Sequence, residues 1–280
     1  MNALEIKNLT KKFPDFTLEN LSLTLPAGCI LGLIGENGAG KSTTIKLILD
    51  IIHKDSGKIT ILGRDNEDHL ELTKEDIGVV MDELGIPTCL NTREVGKVMA
   101  GIFRNWDDTA YRGYLKELDI PENKTFKDFS RGMKMKLGIA IALSHKAKLL
   151  LLDEATSGLD PVARDQVVDM LEDFTRDESH AVLISSHIVS DLEKLCDYIA
   201  FLHKGKLMLL EEKDVLLEQY GIVRCEAERL DALEGDAILH RKDSPYGSEA
   251  LVRRADVPAD LPVSPVSIEE LFVYMVKEAK

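Results

Sequence analysis

The chain has 280 residues, 44% of them hydrophobic and 30% charged, with a formal net charge of −14. Such proportions belong to a globular protein able to bury a sizeable core. The acidic excess argues against a nucleic-acid partner, because phosphate contacts demand a basic face.

No apolar run reaches the roughly 18–20 residues that cross a bilayer as a helix. The N-terminus, Met1-Asn2-Ala3-Leu4-Glu5-Ile6, lacks the basic-then-apolar layout of a signal peptide. Cys29, Cys89, Cys196 and Cys225 are scattered without metal-like pairing. Cys29 and Cys196 lie beside apolar segments and read as small buried hydrophobes. A reducing, cytoplasmic compartment is expected.

In chain order, strand-like pieces come first, at Leu4–Leu9, Phe16–Leu23 and Cys29–Ile34, and a helix follows over Ser42–Ile52. A hairpin-like piece spans Gly57–Gly63. From Thr92 the pattern is helical: Val95, Val98, Met99, Ile102 and Phe103 recur at helix spacing, as do Tyr111, Tyr114, Leu115 and Leu118 after the start signal Asp107-Asp108. Both sets read as core-facing stripes, within a helical subdomain at about 84–146. From Lys148 apolar strands alternate with amphipathic helices, which implies a parallel sheet covered on both faces. A closing hairpin turns across Lys204-Gly205. Beyond about residue 215 the character shifts, and a small accessory domain is expected at 216–280, after a main domain at 1–215. Its terminal helix is opened by Ser267 and Glu270 at capping-box spacing, and presents Leu271, Phe272, Met275 and Val276 on one face. Packing cap and regulatory or dimerisation module are both open readings of this segment.

Gly35-Glu36-Asn37-Gly38-Ala39-Gly40-Lys41-Ser42, followed by Thr43, matches G-x-x-x-x-G-K-[ST] between a strand and a helix. Glycines let backbone N–H groups converge on phosphate oxygens, and the helix N-terminus adds positive potential. In such a loop Lys41 reaches the β- and γ-phosphates of ATP and Ser42 offers its hydroxyl to Mg²⁺. Downstream, Leu149–Leu152 delivers Asp153 and Glu154 at a strand's C-terminal edge, where α/β sheets bind ligands. Taken alone, these acids could merely open the next helix. Beside a phosphate loop, Asp153 reads as a metal ligand and Glu154 as the group that polarises the attacking water.

The run Leu152-Asp153-Glu154-Ala155-Thr156-Ser157-Gly158-Leu159-Asp160-Pro161 resembles the Walker B motif and D-loop of ABC ATPases. Phe129-Ser130-Arg131-Gly132-Met133 stands where that family has its signature, and His187 matches its switch histidine. The resemblance spans residues 3–212. It implies a P-loop NTPase core with a mainly parallel sheet, an N-terminal antiparallel β-subdomain, an α-helical signature subdomain and a small C-terminal appendage. It also implies two subunits, identical or paralogous, sandwiching ATP and Mg²⁺ head to tail, with Ser130, Arg131, Gly132 and Met133 facing the partner's nucleotide. Asp160 would link the subunits and Phe13 would stack on adenine. Equally bland roles are open: Ser130 as a helix N-cap and Phe13 as a core aromatic.

Three positions depart from the family pattern, among them Met133, which stands where the signature has glutamine. Ile77-Gly78-Val79-Val80-Met81-Asp82 carries Asp82 where the family has glutamine. An aspartate can hold Mg²⁺ through water but cannot donate a hydrogen bond as glutamine does. Arg131 replaces a glycine, and an extra phosphate contact, an intersubunit pair and a solvated side chain are all open to it. The resemblance implies a transport motor on separate transmembrane permease subunits at the inner face of the cell membrane, with export favoured. A groove near Asp82–Pro87 would receive a helix of the permease. A soluble ATPase working mechanically on another partner is the alternative. The single cassette and the lack of long heptads weigh against that alternative.

Overall fold

The computed structural model describes residues 1–67, 74–233, 237–244 and 247–278. β1 (Asn2–Lys12) and β2 (Thr17–Pro26) form a hairpin, and β3 (Ile30–Gly35) leaves it for the centre of the molecule, feeding α1 (Lys41–Ile48). β4 (Ser56–Ile61) and β5 (Arg64–Asp65) return to the N-terminal sheet, whose order is β2-β1-β4-β5 with every pairing antiparallel. From Leu21 onward β2 buries residues at alternate positions, the signature of a sheet with one face on a core.

β6 (Ile77–Val80) enters the second sheet and is followed by three helices, α2 (Thr92–Ile102), α3 (Asp108–Glu117) and α4 (Arg131–Leu143). Next come β7 (Leu149–Asp153), α5 (Pro161–Thr175), β8 (Ala181–Ser186), α6 (Val189–Leu195), β9 (Tyr198–His203) and β10 (Lys206–Glu212). The sheet order is β10-β9-β3-β8-β7-β6, parallel throughout except for the closing β9–β10 hairpin. β3, β7 and β8 are buried along their whole length. Their side chains alternate between two cores. Leu31, Leu33, Leu149, Leu151 and Leu183 join the N-terminal sheet and α1, while Ile30, Ile34, Leu150, Leu152 and Ile184 join the helical side. The two-residue period of a strand thus divides one apolar run between both faces.

The rest of the chain is α7 (Lys213–Gln219), β11 (Tyr220–Cys225), α8 (Ala227–Asp231), β12 (Ile238–Ser244), β13 (Gly247–Arg253), β14 (Val263–Ser264) and α9 (Ile268–Glu278). Its antiparallel sheet runs β12-β13-β11-β14. The boundary expected at 216 falls inside α7, where Leu216 is fully buried in the helical-side core together with Ile222, Leu251, Ile268 and Leu271. On the other face of the same strands, Val223, Ala250 and Val252 form a small core of their own. The capping box forms as expected, with Ser267 N–H donating to Glu270 at 3.0 Å and Glu270 N–H to Ser267 Oγ at 3.2 Å. Phe272 packs on Phe201 of β9 with ring centroids 5.2 Å apart. The segment's described residues are therefore fastened to the main body; residues 234–236, 245–246 and 279–280 of the expected domain lie outside them.

The stripe on α3 is buried at Tyr111, Leu115 and Leu118, but the one on α2 is not a core stripe. Val95 is buried, whereas Val98 and Ile102 are exposed at 45% and 60%. Ile102, Met99 and Phe103 instead line an apolar groove of about 460 Å³ with Val79, Leu84 and Ile141. Helical spacing of apolar residues marks a face that excludes water, and it is silent on what covers that face.

His145, 1% exposed, stacks on Phe103 at 3.9 Å at one end of this groove, and burial pushes its pKa below the ordinary 6.5. The folded state therefore binds this proton less readily than the unfolded chain. Stability should be full above pH 6.5 and fall as pH drops from 6.5 toward the lower folded pKa. Thermal midpoints from pH 7.5 to 5.5 check this: the decline should shrink in His145→Asn, and an unchanged slope would count against it.

Candidate active site

The loop from Gly35 to Lys41 is shaped by residues that a larger side chain would break. A Cβ on Gly35 would stand 2.5 Å from Leu202 O, so the loop lies directly on β9. Gly38 and Gly40 take φ values of +83° and +112°, the left-handed region that glycine enters without strain. α1 then begins at Lys41, so the N–H groups of Lys41, Ser42 and Thr43 have no intrahelical carbonyl. The backbone is further tied down from a distance. Gly205 N–H donates to Ala39 O at 3.0 Å, and Glu19 N–H donates to Gly205 O at 2.8 Å.

Lys41 is 6% exposed and donates to Gly35 O at 2.7 Å; its Nζ lies 3.3 Å from Glu154 Oε1. Glu154 sits just past β7 with φ of +54°, an arrangement that costs a non-glycine residue about 1–3 kcal/mol. Its N–H donates to Ser185 O at 3.1 Å, which holds the turn, and its other oxygen lies 2.6 Å from His187 Nδ1. Asp153 is 2% exposed and accepts from the Ser185 hydroxyl at 2.6 Å. That serine follows from register, since Asp153 pairs with Ser185 across β7 and β8.

These groups enclose a polar cavity of about 780 Å³. Of the residues expected at the site, Asn37, Gly38, Gly40, Lys41, Ser42, Thr43, Asp82, Arg131, Asp153, Glu154 and His187 line it. Gly35 and the buried Ala39 shape the loop from behind. Asp15, Phe16, Glu36 and Ser157 line it too, and sequence reasoning missed them along with Ser185. The pair Ser185-Ser186 ending an otherwise apolar strand was the one signal available for Ser185. Among aromatics the wall takes Phe16, not Phe13; Phe13 stands beside it, 38% exposed, with ring centroids 6.2 Å apart.

Ser130, Gly132, Met133 and Asp160 do not line the cavity. Ser130 caps α4 by accepting from Met133 N–H at 3.2 Å, so that helix begins at Arg131. Asp160 caps α5, accepting from Ala163 and Val162 N–H at 3.0 and 3.1 Å. The first of these bonds holds its carboxyl below the usual carboxylate range. Arg131 is exposed but not without a partner: its Nη2 donates to Asp82 Oδ1 at 2.7 Å.

A glycine-shaped N–H cradle with one buried lysine suits a polyphosphate. A strand-end glutamate beside a histidine suits proton transfer to and from water there.

Comparison with known proteins points the same way. Residues 18–157 match the family model described as ABC transporter. The lantibiotic transport ATP-binding protein SrtF of Streptococcus pyogenes is 38% identical over 216 residues, covering 75% of this chain and 91% of SrtF. The bacitracin transport ATP-binding protein BcrA of Enterococcus faecalis is 32% identical, covering 74% of this chain and 68% of BcrA. A solved structure of an ATP-binding subunit of an ABC transporter superposes with a TM-score of 0.71 at 27% identity, covering 78% of this chain and 92% of that one. These matches show that the protein belongs to the ABC transporter family as one of its ATP-binding, ATP-hydrolysing subunits.

Proposed function

We propose that this chain is the motor of an exporter, working as a head-to-tail pair with itself or a paralogue on separate membrane-spanning permease subunits. The observation that carries the reading is the pairing of the catalytic cavity with an open apolar groove on the same chain, the groove reaching the loop that bears Asp82. Among the described residues no helix is long and apolar enough to cross a membrane. Relatives named for lantibiotic and bacitracin transport support export.

In this reading the cradle Gly35–Thr43 binds the ATP phosphates, and Phe16 in the cavity wall, with Phe13 beside it, stacks on adenine. Ser42 and Asp153 supply hard oxygen donors, which suits Mg²⁺, an ion bound through one or two carboxylates with substrate phosphates completing its shell. Bound there, it would neutralise charge on the phosphates. Lys41 and His187 turn from Glu154 to the γ-phosphate, which leaves Glu154 to accept a proton from the attacking water. Ser130, Gly132 and Met133, outside the cavity of their own chain, face the partner's nucleotide, and Asp160 meets the partner's surface. ATP closes the pair because the closed state adds contacts that the open one lacks. The chain works at the inner face of the membrane, held there by a permease helix seated in the groove.

Ile102→Glu tests the groove. Ile102 is 60% exposed, so the substitution should change stability by no more than about 0.5 kcal/mol and leave ATP binding intact. Sedimentation with membranes that contain the co-encoded multi-span protein should be lost. Wild-type protein that never associates with those membranes would overturn the transport reading.

A further inference from the structure

Two of the positions that depart from the family pattern, Asp82 and Arg131, meet in space. They lie 49 residues apart in sequence and 2.7 Å apart in the structure, and both line the nucleotide cavity. The arginine's reach is fixed at both ends. Its aliphatic stem runs along the backbone at Gly158, where an added Cβ would stand 3.3 Å from Arg131 Cδ. The next residue, Gly132, is so close to the same turn that its own Cβ would lie 2.8 Å from Gly158 O. One side chain therefore ties together the loop after β6, the turn that starts α4 and the turn that follows Glu154.

The geometry points to Arg131 as a positioning residue for Asp82: the ion pair is a latch that holds the Asp82 loop on the signature turn, and magnesium-nucleotide opens it by taking Asp82 from Arg131. The inference rests on the Mg²⁺-ATP reading of the cavity. Its strength is set by exposure. Asp82 and Arg131 side chains are 57% and 56% exposed, against 14% and 6% for Glu154 and Lys41. A pair that open to water is weak enough to exchange partners readily. The Lys41–Glu154 contact is enclosed, and its release needs a ligand in direct contact with Lys41. The cavity thus holds its two cations, Lys41 and Arg131, each against a carboxylate, and only the outer pair is easily broken. Once Asp82 has turned away, the turn carrying Ser130 loses its tie to that loop.

The latch competes with the metal for Asp82, so its removal must ease magnesium-dependent binding. In a Glu154→Gln background, which prevents turnover, binding of a fluorescent ATP analogue is titrated with Mg²⁺. Arg131→Gln should lower the Mg²⁺ midpoint about two- to five-fold, the span of an exposed ion pair. Asp82→Asn should raise the midpoint. In chains that already carry Asp82→Asn, Arg131→Gln should have no further effect. A shift of equal size with and without Asp82 would mean only a general loss of positive charge, and it overturns the latch, as does the absence of any shift. Thermal midpoints of the nucleotide-free variants confirm that each is folded. Lys41→Ala serves as the control: if it leaves analogue binding intact, the nucleotide reading itself fails and takes the latch with it.

Discussion

Glu154→Gln should slow ATP hydrolysis by about 10²–10⁴-fold, the range that a positioned general base contributes. Glutamine keeps the shape of the side chain and its acceptor oxygen but cannot take a proton from water. The structure adds that nucleotide affinity should hold or rise. Glu154 now occupies Lys41 at 3.3 Å and His187 at 2.6 Å, and a neutral side chain leaves both partners freer for phosphate. The consequence is an ATP-loaded protein that cannot reset, which should accumulate as a dimer. Steady-state turnover, analogue binding and size-exclusion chromatography with ATP check the three parts. Loss of binding in parallel with turnover would show that Glu154 holds the site together and does not act on water.

Leu271→Ala should destabilise the whole chain by about 2–5 kcal/mol, the cost of truncating a fully buried leucine. Leu271 is 0% exposed and lies in the core that also contains Leu192 of α6 and Ile184 of β8. The single tryptophan, Trp106, reports the outcome from far along the chain, in the helical region beside Tyr111 at 4.9 Å. Because α9 shares one core with that region, urea unfolding followed by Trp106 fluorescence should shift to lower denaturant. If the segment beyond 216 unfolds as an independent unit, the Trp106 transition will stay where it is.

The parts of this molecule legible from sequence are those whose cause is local. An apolar run shared between two faces marks β3, β7 and β8 as central strands. The cradle reads plainly because glycine, lysine and serine are each required at fixed offsets, and Asp153-Glu154 reads because two acids end an apolar strand. What sequence hid depends on who stands opposite. The α2 stripe looks like core because an open apolar groove and a core demand the same residues. Arg131 and Asp82 looked like two separate anomalies, since only the fold brings them together. Ser185 escaped notice because its role comes from sheet register, and Phe16 because two aromatics three residues apart compete for one wall.

The turn at Gly205 carries a consequence for synthesis. Its N–H reaches Ala39 in the phosphate cradle and its carbonyl reaches Glu19 in the first sheet, and a Cβ there would lie 1.8 Å from Thr17 O. Gly35 in turn rests on Leu202. A chain growing on the ribosome makes the cradle's residues early but lacks the strand that props them until residues 202–205 have emerged. Domains generally fold as units during synthesis, and contacts between distant parts of the chain are slow to form. The nascent protein therefore lacks the contacts that prop its phosphate loop while residues 202–205 are still inside the exit tunnel.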